Sequence, residues 1–159
     1  MKRKKMIPML LTVLSLLFFG QCYKLDLDFD KVFGSGTIVE ETRNCSSFRG
    51  IEIRGSIEIE FRKGSQQSVK LIGDDNILPL IRTEVDGDGI LVIDPERSYR
   101  TNQPIRGIIE MTSVEDLKIV GSGLFKSDES FDTTRLNLVI EGSGSIRVKP
   151  RAEFILSRV

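Results

Sequence analysis

From residue 50 onward the apolar residues recur at every second position, and that period limits the chain to strands. Ile51 and Ile53 alternate with Glu52 and Arg54; Ile57, Ile59 and Phe61 alternate with Glu58, Glu60 and Arg62. Val69 and Leu71 flank Lys70, and Leu136, Leu138 and Ile140 form another apolar file. Successive side chains of a strand point to opposite faces, so each such file faces a core while its partners meet water. Ile90-Leu91-Val92-Ile93, following Asp86-Gly87-Asp88-Gly89, reads as a more buried strand entered from a tight turn. Past residue 22 no stretch of ten residues holds a 3.6-residue period. Single helical turns are expected around Asn76–Leu80 and Ser113–Leu117. The fold class is all-β.

The glycines suggest how the strands stack. Gly-Ser-Gly stands at 34–36, 121–123 and 142–144, with Gly55-Ser56 a partial copy. Gly34 to Gly55 is 21 residues, Gly121 to Gly142 is 21, and Gly55 to Gly121 is 66, three steps of 22. Short strands separated by small-residue corners at such a period predict a β-solenoid, a single-stranded β-helix whose coils stack on one another. A sandwich with coincidental glycines is the alternative. A coil begun at Gly142 would turn next near residue 163, beyond Val159, so the last rung is incomplete on this reading. Phe154, Ile155 and Leu156 would then be exposed on an unpaired edge, and self-association through that rung is expected.

The first residues carry an address. Lys2, Arg3, Lys4 and Lys5 precede fifteen uncharged residues, Met6 to Gly20, rich in Leu, Met and Phe. As a helix that stretch covers roughly 22 Å, short of a ~30 Å hydrocarbon core, so it reads as a secretory signal. It ends Leu17-Phe18-Phe19-Gly20-Gln21-Cys22, which resembles a lipoprotein signal with Gln21 where a small residue is usual. The expected organisation is a signal peptide over 1–21, lipid attachment at Cys22, a tether over 22–33 and a domain over 34–159. In the tether Asp26, Asp28 and Asp30 alternate with Leu25, Leu27 and Phe29.

Cleavage removes four of the 23 Lys and Arg residues and none of the 23 Asp and Glu, leaving 19 against 23, a net charge of about −4. That balance argues against a nucleic-acid binder, which needs a clustered basic face. Cys22 and Cys45 are the two cysteines. With Cys22 acylated, Cys45 is a buried space-filling thiol; a Cys22–Cys45 disulfide is the rival, and it excludes the lipid.

Several segments together resemble the bacterial GIN domains, also called autotransporter-adhesin head domains or DUF2807. These are Glu41-Thr42-Arg43, Phe48-Arg49-Gly50-Ile51-Glu52-Ile53, Gly55-Ser56-Ile57-Glu58-Ile59, Ser68 to Leu78, Ile81 to Val85 and Gly89 to Ile93, with the three Gly-Ser-Gly copies. The likeness covers residues 34–159. It implies a right-handed β-helix-like solenoid on an exported or lipid-anchored protein of diderm bacteria, and no established activity.

The chain has no histidine, which removes Ser-His-Asp and Cys-His catalysis and histidine metal sites. Two acidic clusters supply the candidate site residues. Asp74-Asp75-Asn76 holds possible oxygen ligands or a glycosidase-type acid pair, although a turn or cap uses the same residues. Asp86-Gly87-Asp88-Gly89 holds part of a calcium loop without its closing Glu, so Asp86 and Asp88 fit a hairpin turn better. No cofactor is implied. The expected function is a non-catalytic binding or structural module of the cell envelope, with adhesion as one such role, held to a membrane by lipid and meeting an unknown envelope or host ligand. The location is periplasm-facing or at the outer-membrane surface. A carbohydrate-active β-helix enzyme using Asp74 or Asp75 is the alternative.

Overall fold

A computed structural model describes residues 31–159. In chain order its strands are β1 (Val32–Phe33), β2 (Ile38–Arg43), β3 (Gly50–Gly55), β4 (Glu58–Lys63), β5 (Ser68–Asp74) and β6 (Ile81–Val85). Then come β7 (Ile90–Pro95), β8 (Tyr99–Arg100), β9 (Arg106–Met111), β10 (Asp116–Gly121), β11 (Leu124–Gly142) and β12 (Ser145–Arg158). One 3-10 turn, Leu78–Leu80, stands within the expected Asn76–Leu80 segment. The other expected helical turn, Ser113–Leu117, is not helical: β10 begins at Asp116, because Leu117 and Ile119 are needed facing the core.

Two parallel ladders build the body. In the first, Leu91 of β7, Ile51 of β3, Leu117 of β10 and Leu138 of β11 share one register position. In the second, Gly107 of β9, Ile59 of β4, Phe125 of β11 and Ile146 of β12 do the same. β11 belongs to both, because its 19 residues leave the second ladder and enter the first. β5 and β2 continue antiparallel beyond β9, and β6 lies antiparallel to β7. The ten strands form one nearly closed, barrel-like sheet, with β1 and β8 a separate parallel pair.

Alternation explains the core. β9 and β10 bury every second residue, as the sequence period requires. Phe61 stands between Phe125 and Phe131, with ring centroids 6.2 and 5.0 Å away. All three rings are fully buried.

The glycine arithmetic is partly realised. Gly55, Gly121 and Gly142 stand in register on adjacent strands. Gly121 and Gly142 have φ of 117° and 125°, and a Cβ on either would lie 2.8 or 2.6 Å from the carbonyl oxygen of the glycine below. Only glycine fits there. The serine N–H then closes each corner: Ser122 donates to the Gly55 carbonyl and Ser143 to the Gly121 carbonyl, both at 2.9 Å. Gly55 to Gly121 is therefore one spatial step, not three. The intervening 66 residues instead supply strands elsewhere in the sheet, including the antiparallel β5 and β6. Gly34 is outside the stack and packs on Asp74. A single-stranded helix of uniform coils contains no antiparallel pairs, whereas β2–β5, β5–β9 and β6–β7 are all antiparallel.

Candidate functional site

Of the acids nominated by the sequence, Asp74 and Asp86 accept backbone N–H groups and Asp75 accepts a serine hydroxyl. β5 ends at Asp74, which is buried, and its Oδ1 accepts the Gly36 N–H at 2.6 Å while Oδ2 accepts the Thr101 hydroxyl. A Cβ on Gly34 would fall 2.6 Å from that carboxyl carbon, which explains a glycine there. Asp75 Oδ1 accepts the Ser35 hydroxyl at 2.5 Å. Asn76 Oδ1 accepts the Ser35 N–H at 2.9 Å, and its Nδ2 donates to the Phe33 carbonyl at 2.8 Å. The three side chains thus clasp Phe33–Gly36 to the end of β5. Thr101 is the partner that sequence reasoning missed, since nothing local links it to residue 74.

Asp86 and Asp88 stand in the hairpin joining β6 to β7. Asp86 Oδ1 accepts the N–H groups of Asp88 and Ile90, both at 2.9 Å, and Gly89 takes φ 75°. Asp88 gives its carbonyl to Arg49 Nε at 3.2 Å. The Asp74 and Asp86 pairs therefore lie in separate turns. Among the described residues no group of three or more His, Cys, Asp or Glu is placed to hold a metal ion. Cys45 is half-buried against the core rather than fully buried. Burial pushes its thiol upward in pKa, partly offset by Arg43, so little reactive thiolate forms at neutral pH. Cys22, the signal peptide and most of the tether lie outside the described residues.

The outer face of the first ladder is a charge belt. Glu84 pairs with Arg82 (2.7 Å), Arg82 with Asp94 (2.9 Å), Asp94 with Arg54 (3.3 Å) and Arg54 with Glu52 (2.7 Å). Lys118 then bridges Glu52 and Glu141 at 3.8 and 3.4 Å. The signs alternate over β6, β7, β3, β10 and β11. Such pairs contribute little stability each, but they leave little field for a charged ligand. In the second ladder Glu60 receives Arg62 at 2.8 Å and Lys126 at 3.7 Å. The Arg62 hydrogen bond holds the Glu60 carboxyl below its ordinary range, against a smaller upward push from burial.

β12 breaks that pattern. Over its 14 residues it carries Arg147, Lys149, Arg151 and Arg158 against Glu153. Arg147 stands in register with Lys126, a like charge, and has no ion-pair partner among the described residues. Among the described residues Lys149 reaches the Asp128 carbonyl, at 3.2 Å, and Arg151 lies 3.9 Å from Asp132. The alternate residues Ile146, Val148 and Ala152 pack partly on the core. Phe154, Ile155 and Leu156 are 69%, 56% and 57% exposed, as the sequence led one to expect. An open hollow of about 520 Å³ adjoins the strand between Asp132–Thr134 and Arg151–Glu153. β12 pairs with β11 alone. The basic file was readable as Ile-Arg-Val-Lys-Pro-Arg-Ala, but its lack of counter-charges was not.

Comparison with known proteins follows the same outline. The family profile described as "Putative auto-transporter adhesin, head GIN domain" matches residues 47–158. A crystal structure of a "putative lipid binding protein" from Parabacteroides distasonis superposes with a TM-score of 0.67 at 22% identity, covering 77% of this chain and 53% of that one. A "putative adhesin" from Bacteroides fragilis gives 0.66 at 17%, covering 80% and 58%. Another from Parabacteroides merdae gives 0.61 at 16%, covering 70% and 47%. At these identities the likeness is one of fold, and the chain spans about half the length of the solved structures it matches. No curated protein matches it.

Proposed function

Because the chain belongs to the family of auto-transporter adhesin head GIN domains, we propose that it is an exported, lipid-anchored envelope protein whose β-domain binds rather than catalyses. The parallel ladders with their glycine corners form a solenoid-like stack, and the stack serves as a rigid support for a binding surface. The observation that carries the reading is the contrast on the outer face. Charges on the inner strands are paired across the sheet, and the nominated acids are bonded to turns, while β12 presents cations and apolar groups together. A carbohydrate-active enzyme would draw on Asp74 or Asp75, but Asp74 is buried under Gly34 and holds Gly36 and Thr101. Lipid on Cys22 supplies the anchor, and residues 22–33 the tether.

Membrane fractionation with mass spectrometry of the native N-terminus tests the anchor. A diacylglyceryl-modified Cys22 in the membrane fraction is the expected result. An unmodified N-terminus in the soluble fraction would overturn lipid anchoring. Activity on a polysaccharide panel that is lost in Asp74→Asn would overturn the non-catalytic reading.

A further inference from the structure

We infer that the turn joining β1 to β2 is a membrane contact: Phe33 and Ile38 enter the interface of the bilayer to which the chain is tethered, with Arg100 beside them at the headgroup phosphates. This rests on the lipid anchor proposed above and names the face that the domain turns toward its membrane.

Six large apolar side chains are exposed among the described residues. Phe154, Ile155, Leu156 and Val159 belong to the last strand and the residue after it. The other two, Phe33 at 63% and Ile38 at 40%, flank a single four-residue turn, Gly34 to Thr37. That turn is held in place. Asp74 accepts the Gly36 N–H and Asp75 the Ser35 hydroxyl, while Asn76 accepts the Ser35 N–H and donates to the Phe33 carbonyl. The clasp fixes the backbone at Phe33, so the ring stays outward instead of folding back onto the core. A lone exposed apolar residue is ordinary, whereas a pair presented on one fixed turn offers apolar area to a less polar medium.

The charges beside the turn suit a phosphate surface. Arg100 stands in register with Phe33 on the adjacent strand, and both side chains are exposed. Arg106 is exposed at the far end of the loop that supplies Thr101 to the clasp. Neither arginine has an ion-pair partner among the described residues. Asp74 is buried and Asp75 is taken by Ser35. Guanidinium groups bind phosphate, and aromatic rings settle at headgroup depth. The net charge of about −4 after cleavage gives no general attraction to an anionic leaflet, so the contact is local and mainly apolar. Position favours a bilayer as the occupant. Ten residues, Tyr23 to Val32, separate Cys22 from Phe33, a span of at most about 35 Å. The tether therefore brings this turn first to the surface that holds the lipid. The patch is built from β1, β2 and β8, none of which pairs with β11 or β12.

The chain has no tryptophan, so Phe33→Trp creates a single fluorophore at the contact, and Thr134→Trp, at an exposed position of β11, serves as the reference. Each full chain, processed in its host and purified in mild detergent, is returned to vesicles of phosphatidylethanolamine and phosphatidylglycerol whose acyl chains carry bromine. The expected result is blue-shifted emission quenched by the brominated lipid in the Phe33→Trp chain, and unshifted, unquenched emission in the Thr134→Trp chain. Adding Ile38→Ser or Arg100→Glu to the Phe33→Trp chain should move its emission back toward the red and reduce the quenching. Circular dichroism checks that each variant is folded; if Phe33→Trp is not, Ile38→Trp takes its place. Equal quenching of the two chains, quenching of the Thr134→Trp chain alone, or no quenching would overturn the inference. The state of Cys22 is read separately by mass spectrometry. A modified Cys22 with an unquenched fluorophore at position 33 sinks the contact and leaves the anchor standing, whereas an unmodified Cys22 sinks the anchor and this inference with it.

Discussion

The inner strands β3 and β10 and the outermost strand β12 share a period-2 pattern, yet their surfaces have opposite characters. On β3 and β10, Glu52, Arg54 and Lys118 find counter-charges on strands to either side. On β12 the cations have a neighbour on one side only, and that neighbour offers Lys126, a backbone carbonyl or a distant Asp132. An outward charge in the stacked sheet is thus neutralised both by the residue two positions along its own strand and by residues of the strands beside it. The end strands β2 and β6 also have one neighbour each but pair their charges, so the contrast lies in the few acids that β11 offers to β12.

The sharpest way to separate the two regions is to remove an aromatic ring from each. Phe61→Ala empties the space between Phe125 and Phe131 and should cost about 3–5 kcal/mol in urea unfolding. Phe154→Ala, at an exposed β12 position, should stay within about 0.5 kcal/mol. Gly121→Ala attacks the corner that locks the inner strands. With φ 117° and the Gly55 carbonyl in the way, it should cost about 3 kcal/mol and lower Tm accordingly. Asp74→Ala leaves the Gly36 N–H and the Thr101 hydroxyl without their acceptor, a loss of about 1–3 kcal/mol. Faster hydrogen exchange confined to residues 33–37 and 101 would identify the clasp as the cause.

Smaller effects probe the belt itself. Glu52→Gln removes the acid shared by Arg54 and Lys118 and should cost about 1 kcal/mol or less, shrinking as salt is added. Reversing Arg147 alone should leave Tm unchanged or raise it slightly, because no paired acid is lost and the like charge opposite Lys126 is replaced by an acid. The smallest expected effect is on pH dependence. The Arg62 hydrogen bond depresses the Glu60 carboxyl in the folded state. Its stabilising contribution is then complete above the unfolded carboxyl's pKa, ~4.3, and is lost as pH falls through the folded value. Glu60→Gln should therefore flatten the decline of Tm between about pH 5 and pH 3. A decline as steep as that of the unaltered chain would show that the Arg62 contact contributes nothing to folding.

The candidate acids show where reading from sequence reaches its limit. Asp86 was legible as a turn residue because its partners, Asp88 and Ile90, are two and four residues away. Asp74 was ambiguous because its partners, Gly36 and Thr101, are 38 and 27 residues away and arrive only when β1 lies beside β8.

Side-chain period and glycine placement depend on each residue and its immediate neighbours. They therefore determined from sequence the all-β class, the apolar files and the Asp86–Gly89 hairpin. Whether two glycines 66 residues apart touch depends on where the chain between them goes. That route was decided by burial of the β5, β7 and β9 apolar faces, which drew those strands into the sheet as a mixture of parallel and antiparallel pairs. Tertiary structure alone also decided which charges meet across strands, because a row of the sheet assembles residues from distant parts of the sequence. The cations of β12 became a distinct surface only there.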